Sequence, residues 1–267
     1  QAVSACADAE ELYRDSGSQE GEAQAMWLTA EVRAADEKFD EAITAARERL
    51  TIAQQLEDSR LQVRAGELLA RLLTRGGKHE EGERRAEEAL LLAQDLDDKR
   101  LELDTQLLLV QLHLMRSVQG ARDTSAKGQI VAAAKRAGEA VQSATSLGEK
   151  GPRGVALYWK AQTLISEGRY QEAQRTSSEA EALFKNIQSD QGQGACLHLA
   201  GALHAVFGQA DRAMDTLDRA LAFAQVAKDA SLEYEVSTSI YNVQRQLQPQ
   251  QMQQQQQAIA AQVMDAV

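Results

Sequence analysis

Residues 168–173 read Gly168-Arg169-Tyr170-Gln171-Glu172-Ala173, and seven residues after Ala173 stands Ala180. The glycine is free to take the left-handed conformation that closes a helix, and the two alanines lie two turns apart on one face of the next. Both recur 40 residues later as Ala213 and Ala220, behind Gly208. Followed back along the chain, the first position holds Ala2, Ala42, Gly82 and Ala133, and the second Ala9, Arg49, Ala89 and Ala140. Successive spacings are 40, 40, 51, 40 and 40 residues, a self-similarity that marks a repeat array instead of a single core. The insertion of 11 residues in one unit is placed near 118–128, where VQGARDTSAKG breaks the apolar pattern and predicts a surface loop.

Each unit has the same grammar: an amphipathic stretch, a short break, a second amphipathic stretch, a polar turn. Glu37-Lys38-Phe39, Gly76-Gly77-Lys78-His79, Gly168-Arg169-Tyr170 and Gly208-Gln209-Ala210 separate the two helices of a unit. Leu56-Glu57-Asp58, Leu96-Asp97-Asp98, Leu147-Gly148-Glu149 and Ile187-Gln188-Ser189 separate one unit from the next. Connections this short force antiparallel neighbours. The fold class expected is therefore all-α, a right-handed solenoid of antiparallel helix pairs. Residues 1–20 read as a partial repeat contributing only a second helix. Residues 21–247 read as about five pairs plus a sixth first helix, and residues 248–267 as a glutamine-rich segment able to form a capping helix. Because Ala2, Cys6, Ala9 and Leu12 follow the spacing of a second helix with no first helix before it, the chain is expected to be a fragment with covered ends.

Composition agrees with a helical reading. The 267 residues include 2 Pro and 4% aromatics, against 43% hydrophobic residues rich in Ala and Leu. With 29 Lys plus Arg against 40 Asp plus Glu, the net charge of −11 argues against nucleic acid or anionic lipid as partner and leaves other proteins. The most apolar stretch, 107–115, is interrupted by Gln111 and His113 and is too short to insert in a membrane. Cys6 and Cys196 stand apart and read as small buried residues in a reducing compartment, which points to an intracellular, cytoplasmic protein.

The run at 168–173 with Ala180, and Gly201 with Gly208, Ala213, Leu217 and Ala220, resembles the tetratricopeptide repeat (TPR) family. That family places small residues where the two helices of a pair cross, since a larger side chain would hold them apart. The resemblance covers the chain to about Leu247 and implies a protein-binding scaffold. It departs in period, 40 residues against about 34, and so resembles the longer-helix branch of kinesin light chain, Pins-type adaptors and the sensor arrays of bacterial regulatory ATPases. Arg49, Val110 and Tyr241 stand where small residues are expected, and the Pro between units appears once, as Pro152. The Asn-rich first helices of the kinesin light chain and Pins groups are absent, so their ligands do not carry over.

No catalytic constellation stands out, and the expectation is a protein that is not an enzyme and uses neither cofactor nor metal. His198 and His204 are six apart on a helix and face different ways, so they form no chelating pair with each other, and Gly192 and Gly194 lack the strand that precedes a phosphate loop. The first helix of each pair should line a concave surface. Positions turned away from the crossing are Trp27, Glu31 and Ala34; Glu67, Arg71 and Thr74; Leu107, Gln111 and Leu114; Tyr158, Gln162 and Ile165; His198, Ala202 and Ala205. Leu107, Leu114, Met115, Tyr158 and Ile165 read either as a groove for a partner helix or peptide, or as side chains covered by the 118–128 insertion folding back or packed inward by the curvature of the array. Arg64, Arg71 and Arg75 fall on one helix face and read either as an anchor for an acidic segment or C-terminal carboxylate of a partner or as ion-pair partners of Glu31, Glu67 or the acidic loop of a neighbouring unit. The function expected is a non-catalytic interaction scaffold or a structural subunit of a larger assembly. The alternative is a ligand-sensing array within a multidomain regulatory protein.

Overall fold

Helices of 17 residues joined by three-residue turns generate the 40-residue period. The computed structural model of the chain describes residues 2–119 and 125–246, and among these there are helices and no strand. In chain order they are α1 (Ala2–Ser16), α2 (Gln19–Ala35), α3 (Phe39–Gln55), α4 (Ser59–Arg75), α5 (His79–Asp95), α6 (Lys99–Gln119), α7 (Ser125–Leu147), α8 (Lys150–Ser166), α9 (Tyr170–Asn186), α10 (Asp190–Val206) and α11 (Ala210–Ala227). Residues 230–246 are helical too. The glutamine-rich segment 248–267 lies outside the described residues.

Every described turn holds one left-handed residue: 17, 37, 57, 77 and 97, then 148, 168, 188, 208 and 228. Glycine supplies it at 17, 77, 148, 168 and 208, but Glu37, Glu57, Asp97, Gln188 and Lys228 adopt it with a side chain. The turns are of the Schellman type: the Lys38 amide donates to the Arg33 carbonyl at 2.9 Å and the Glu37 amide to Ala34 at 3.2 Å. Side-chain N-caps occur on first helices, except α8, which starts after Glu149 with no side-chain cap. Ser18, Asp58, Asp98, Ser189 and Asp229 each accept an amide hydrogen bond ahead of a first helix. The second helices α3, α5, α9 and α11 start after Lys38, Lys78, Arg169 and Gln209, which give no side-chain cap.

The chain divides into two compact units, Gln1–Gly148 and Glu149–Val267. In the first, α2 pairs with α3, α4 with α5 and α6 with α7, while α1 packs on α2. In the second, α8 pairs with α9 and α10 with α11, and Leu232, Val236 and Val243 of the last helical stretch join the core of α11. The crossings are made by the expected small residues: Ala42, Ala133, Ala173, Ala213, Ala140, Ala180 and Ala220 are fully buried. A Cβ on Gly82 would stand 2.8 Å from the Ala70 carbonyl oxygen, so α4 and α5 approach more closely there than alanine allows. Arg49, the exception, is half-buried, and its burial lowers its pKa against the opposing pull of Glu31.

Where one pair meets the next, two positions exchange volume. Ala93 and Ala224 pack with Leu101 and Leu232, and Ala53 and Leu61 hold the equivalent repeat positions, whereas the aromatic Tyr13 and Phe184 face Gly21 and Gly192. A Cβ at Gly192 would lie 2.3 Å from the Phe184 ring and one at Gly21 2.1 Å from Tyr13. Small-with-large and large-with-nothing fill the same gap, as close packing requires.

The 118–128 insertion departs from the loop expected of it. Val118 and Gln119 extend α6 to 21 residues, Ser125 to Gly128 open α7, which reaches 23, and only 120–124 lie outside the described residues. A single glycine in a first turn costs about 1 kcal/mol, too little to stop a helix that is already propagating.

Candidate functional site

In the first unit the expected groove residues separate. Trp27 is 39% exposed and Met115 40%, and Gln111 and Leu114 are half-buried, but Leu107 is 7% exposed and belongs to the core. Ala34, Glu67 and Thr74 are buried as well. A polar seam joins two first helices, α4 and α6: the Thr105 hydroxyl donates to Glu67 Oε1 at 2.7 Å, and Arg64 bridges Glu67 at 3.1 Å and Asp104 at 3.0 Å. Burial pushes the Glu67 carboxyl above the usual carboxylate range, although Thr105 and Arg64 oppose it.

The three arginines of the expected ridge have different surroundings. Arg64 is committed to two carboxylates of its own chain, and the Arg75 guanidinium sits 5.1 Å from the centre of the Phe39 ring. Arg71 is exposed. Second helices are also tied together by charge: Arg47 to Glu81 at 2.7 Å, Lys78 to Asp40 at 2.9 Å, Arg136 to Glu87 at 2.6 Å. His113 stands 2.7 Å from Gln129 Oε1 and 3.4 Å from Glu83, an internal polar cluster.

In the second unit the expected residues lie on α8 and α10. Tyr158, Gln162 and Ile165 of α8 and His198 of α10 are all half-buried. Gln162 Nε2 donates to the Tyr158 hydroxyl at 3.0 Å, and Tyr158 meets Trp159 edge-on at 5.4 Å. His198 Nε2 lies 2.8 Å from Ser239 Oγ. Burial holds the His198 pKa below its ordinary value, with the Glu235 carboxylate pulling the other way, and burial raises that of Tyr158. Ile165 turns partly inward against the cluster of Leu164, Ala173 and Leu203.

Next to this group opens a cavity of about 380 Å³. Val155 and Tyr158 of α8, Gln191 and Ala195 of α10, and Ser231, Leu232 and Glu235 of the last helical stretch line it, with Phe184 and Asp229. Asp229 accepts from the Leu232 amide at 3.0 Å and from Gln191 Nε2 at 2.7 Å, and these bonds hold its carboxyl below the usual range. Sequence reasoning caught Tyr158 but missed Val155, Ala195 and Glu235. A signal was present, because these three share one repeat position 40 residues apart, a turn ahead of Tyr158 and His198.

Both cysteines are buried and free, and burial with Glu181 nearby pushes the Cys196 thiol up to about 12, which makes it a poor nucleophile. Among the described residues, no group of three or more His, Cys, Asp or Glu is placed to hold a metal ion, and no helix is long and apolar enough to cross a membrane.

No protein-family model and no curated protein matches the chain by sequence. Solved structures match by fold. BtubC (BKLC) from P. vanneervenii superposes with a TM-score of 0.67 at 18% identity, over 85% of this chain and 91% of that one. TTC0263, a thermophilic TPR protein of Thermus thermophilus, gives 0.58 at 18% identity over 82% and 99%. NprR in complex with its cognate peptide NprX gives 0.61 at 15% identity over 92% and 67%. The protein therefore has a TPR-like fold, an all-α array of antiparallel helix pairs.

Proposed function

We propose that the protein is a non-catalytic interaction scaffold, or a structural subunit of a larger assembly, that takes a partner peptide or helix on the first-helix face of its second unit. One observation carries this reading: α8, α10 and the stretch 230–246 together line a cavity of about 380 Å³ with an apolar wall and a few polar groups, and pockets of roughly 300–1,000 Å³ with that mixture are the ones that receive ligands. The fold is compatible with it, since NprR, of similar fold, holds its cognate peptide.

The test is a displayed peptide library panned against the protein and against Ala195→Arg, which fills the cavity from a half-buried position. Selected peptides should lose roughly tenfold or more in affinity for the variant, while its circular dichroism and melting temperature stay as before. Selection of no peptide, or peptides that bind Ala195→Arg equally well, would contradict the reading.

A further inference from the structure

The cavity of the second unit has a chemical polarity that its shape alone does not require. Val155, Ala195, Leu232 and the Tyr158 ring form an apolar wall, Asp229 and Glu235 carry charge, and none of the lining residues is Lys or Arg. Of the two carboxylates, Asp229 is occupied as an N-cap and by Gln191. Glu235 is exposed, sits at the equivalent of Val155 and Ala195 in the repeat, and forms no ion pair with a described residue. Its charge bears on Tyr158 and His198, neither of which is a cation there: burial keeps His198 neutral at pH 7. Thus one carboxylate without a counter-charge lies beside an aromatic ring and an aliphatic wall.

Resting on the function proposed above, we infer that this cavity receives a lysine or arginine side chain of the partner polypeptide, its aliphatic stem against Val155 and Tyr158 and its cationic head at Glu235. Long basic side chains suit such a site because stem and head prefer different surroundings, an aromatic face attracts the head, and a charge-assisted bond to a carboxylate is among the stronger polar contacts. The excess of acidic residues over the whole chain favours approach of a basic segment, but only the cavity would select a position within it.

The experiment uses degenerate peptide mixtures with one central position fixed as Lys, Arg, Met or Glu, measured against the protein and two single variants. Glu235→Gln removes the carboxylate at the cavity. Asp218→Asn removes the same charge from an exposed site on α11 that does not line it. Lys- and Arg-fixed mixtures should bind roughly tenfold better than the Met-fixed one, an advantage that Glu235→Gln reduces to about twofold and Asp218→Asn leaves intact. Equal loss in both variants would show that net charge alone is at work and would overturn the inference. So would binding to the cavity, sensitive to Ala195→Arg, without any basic preference; that result would leave the proposed function standing. Failure of every mixture to bind would overturn both.

Discussion

At the scale of single residues, the chain is governed by which side chain fills a gap between neighbours. Phe184 occupies the space that Leu61, Leu101 and Leu232 fill elsewhere, and Gly192 is the vacancy that admits it. Phe184→Ala alone should cost about 3–5 kcal/mol, and Gly192→Leu alone should also destabilise because the leucine meets the ring. The double variant Phe184→Ala, Gly192→Leu recreates the alanine–leucine junction and should recover much of the loss; urea unfolding of the four proteins gives the coupling, expected at about 1–3 kcal/mol. Leu107 gives the opposite lesson. Its place in an apolar stripe leaves groove and core both open, and the structure buries it in α6. Leu107→Asp should therefore unfold the first unit, visible as lost helicity, where Met115→Asp should leave it folded. His198 sets a pH response. Its folded-state pKa lies below the ordinary 6.5, so the unfolded chain takes up the proton first and stability falls as the pH drops through 6.5. Melting temperatures across that range should show the fall in the native protein and lose part of it in His198→Gln.

At the scale of helices and turns, the sequence was legible because one length repeats. Left-handed residues every 20 positions, from 17 to 97 and from 148 to 228, set the register, and caps at Ser18, Asp58, Asp98, Ser189 and Asp229 mark first helices, α8 being the exception that starts after Glu149 with no side-chain cap. The glycines at half of these turns and the alanines at the crossings were enough to infer all-α helix pairs. The insertion is the exception: Ser125 and Gly128 read as loop punctuation, but they open α7, and 120–124 lie outside the described residues. Five turns hold a side chain where glycine is easier. Because an L-residue in the left-handed region costs about 1–2 kcal/mol relative to the right-handed one, Glu57→Gly and Lys228→Gly should each stabilise the protein, by up to about 1 kcal/mol. A lower urea midpoint in either variant would show that the side chain contributes more than the strain it causes.

At the scale of the molecule, a repeat array has no central core, so damage stays near its source. Ala173→Trp, at the crossing of α8 and α9, should speed amide exchange in those helices and in α10 while α2 to α5 keep their protection. The site was less legible than the fold. Periodicity identifies which helix of a pair is first, and so found Tyr158 and His198; it does not show that Arg64 pairs within the chain, or that Glu235, on a helix with no complete pair in the pattern, joins Val155 and Ala195 at one cavity. Those facts depend on how neighbouring first helices lean on each other, and small residues at crossings do not encode that lean. The central claim, that the first-helix face of the second unit receives a partner peptide, is most directly tested by hydrogen exchange with a library-selected peptide bound. Protection concentrated in 155–162, 191–198 and 231–239 is the predicted result. Protection confined to α9 and α11, or to the first unit, would contradict it.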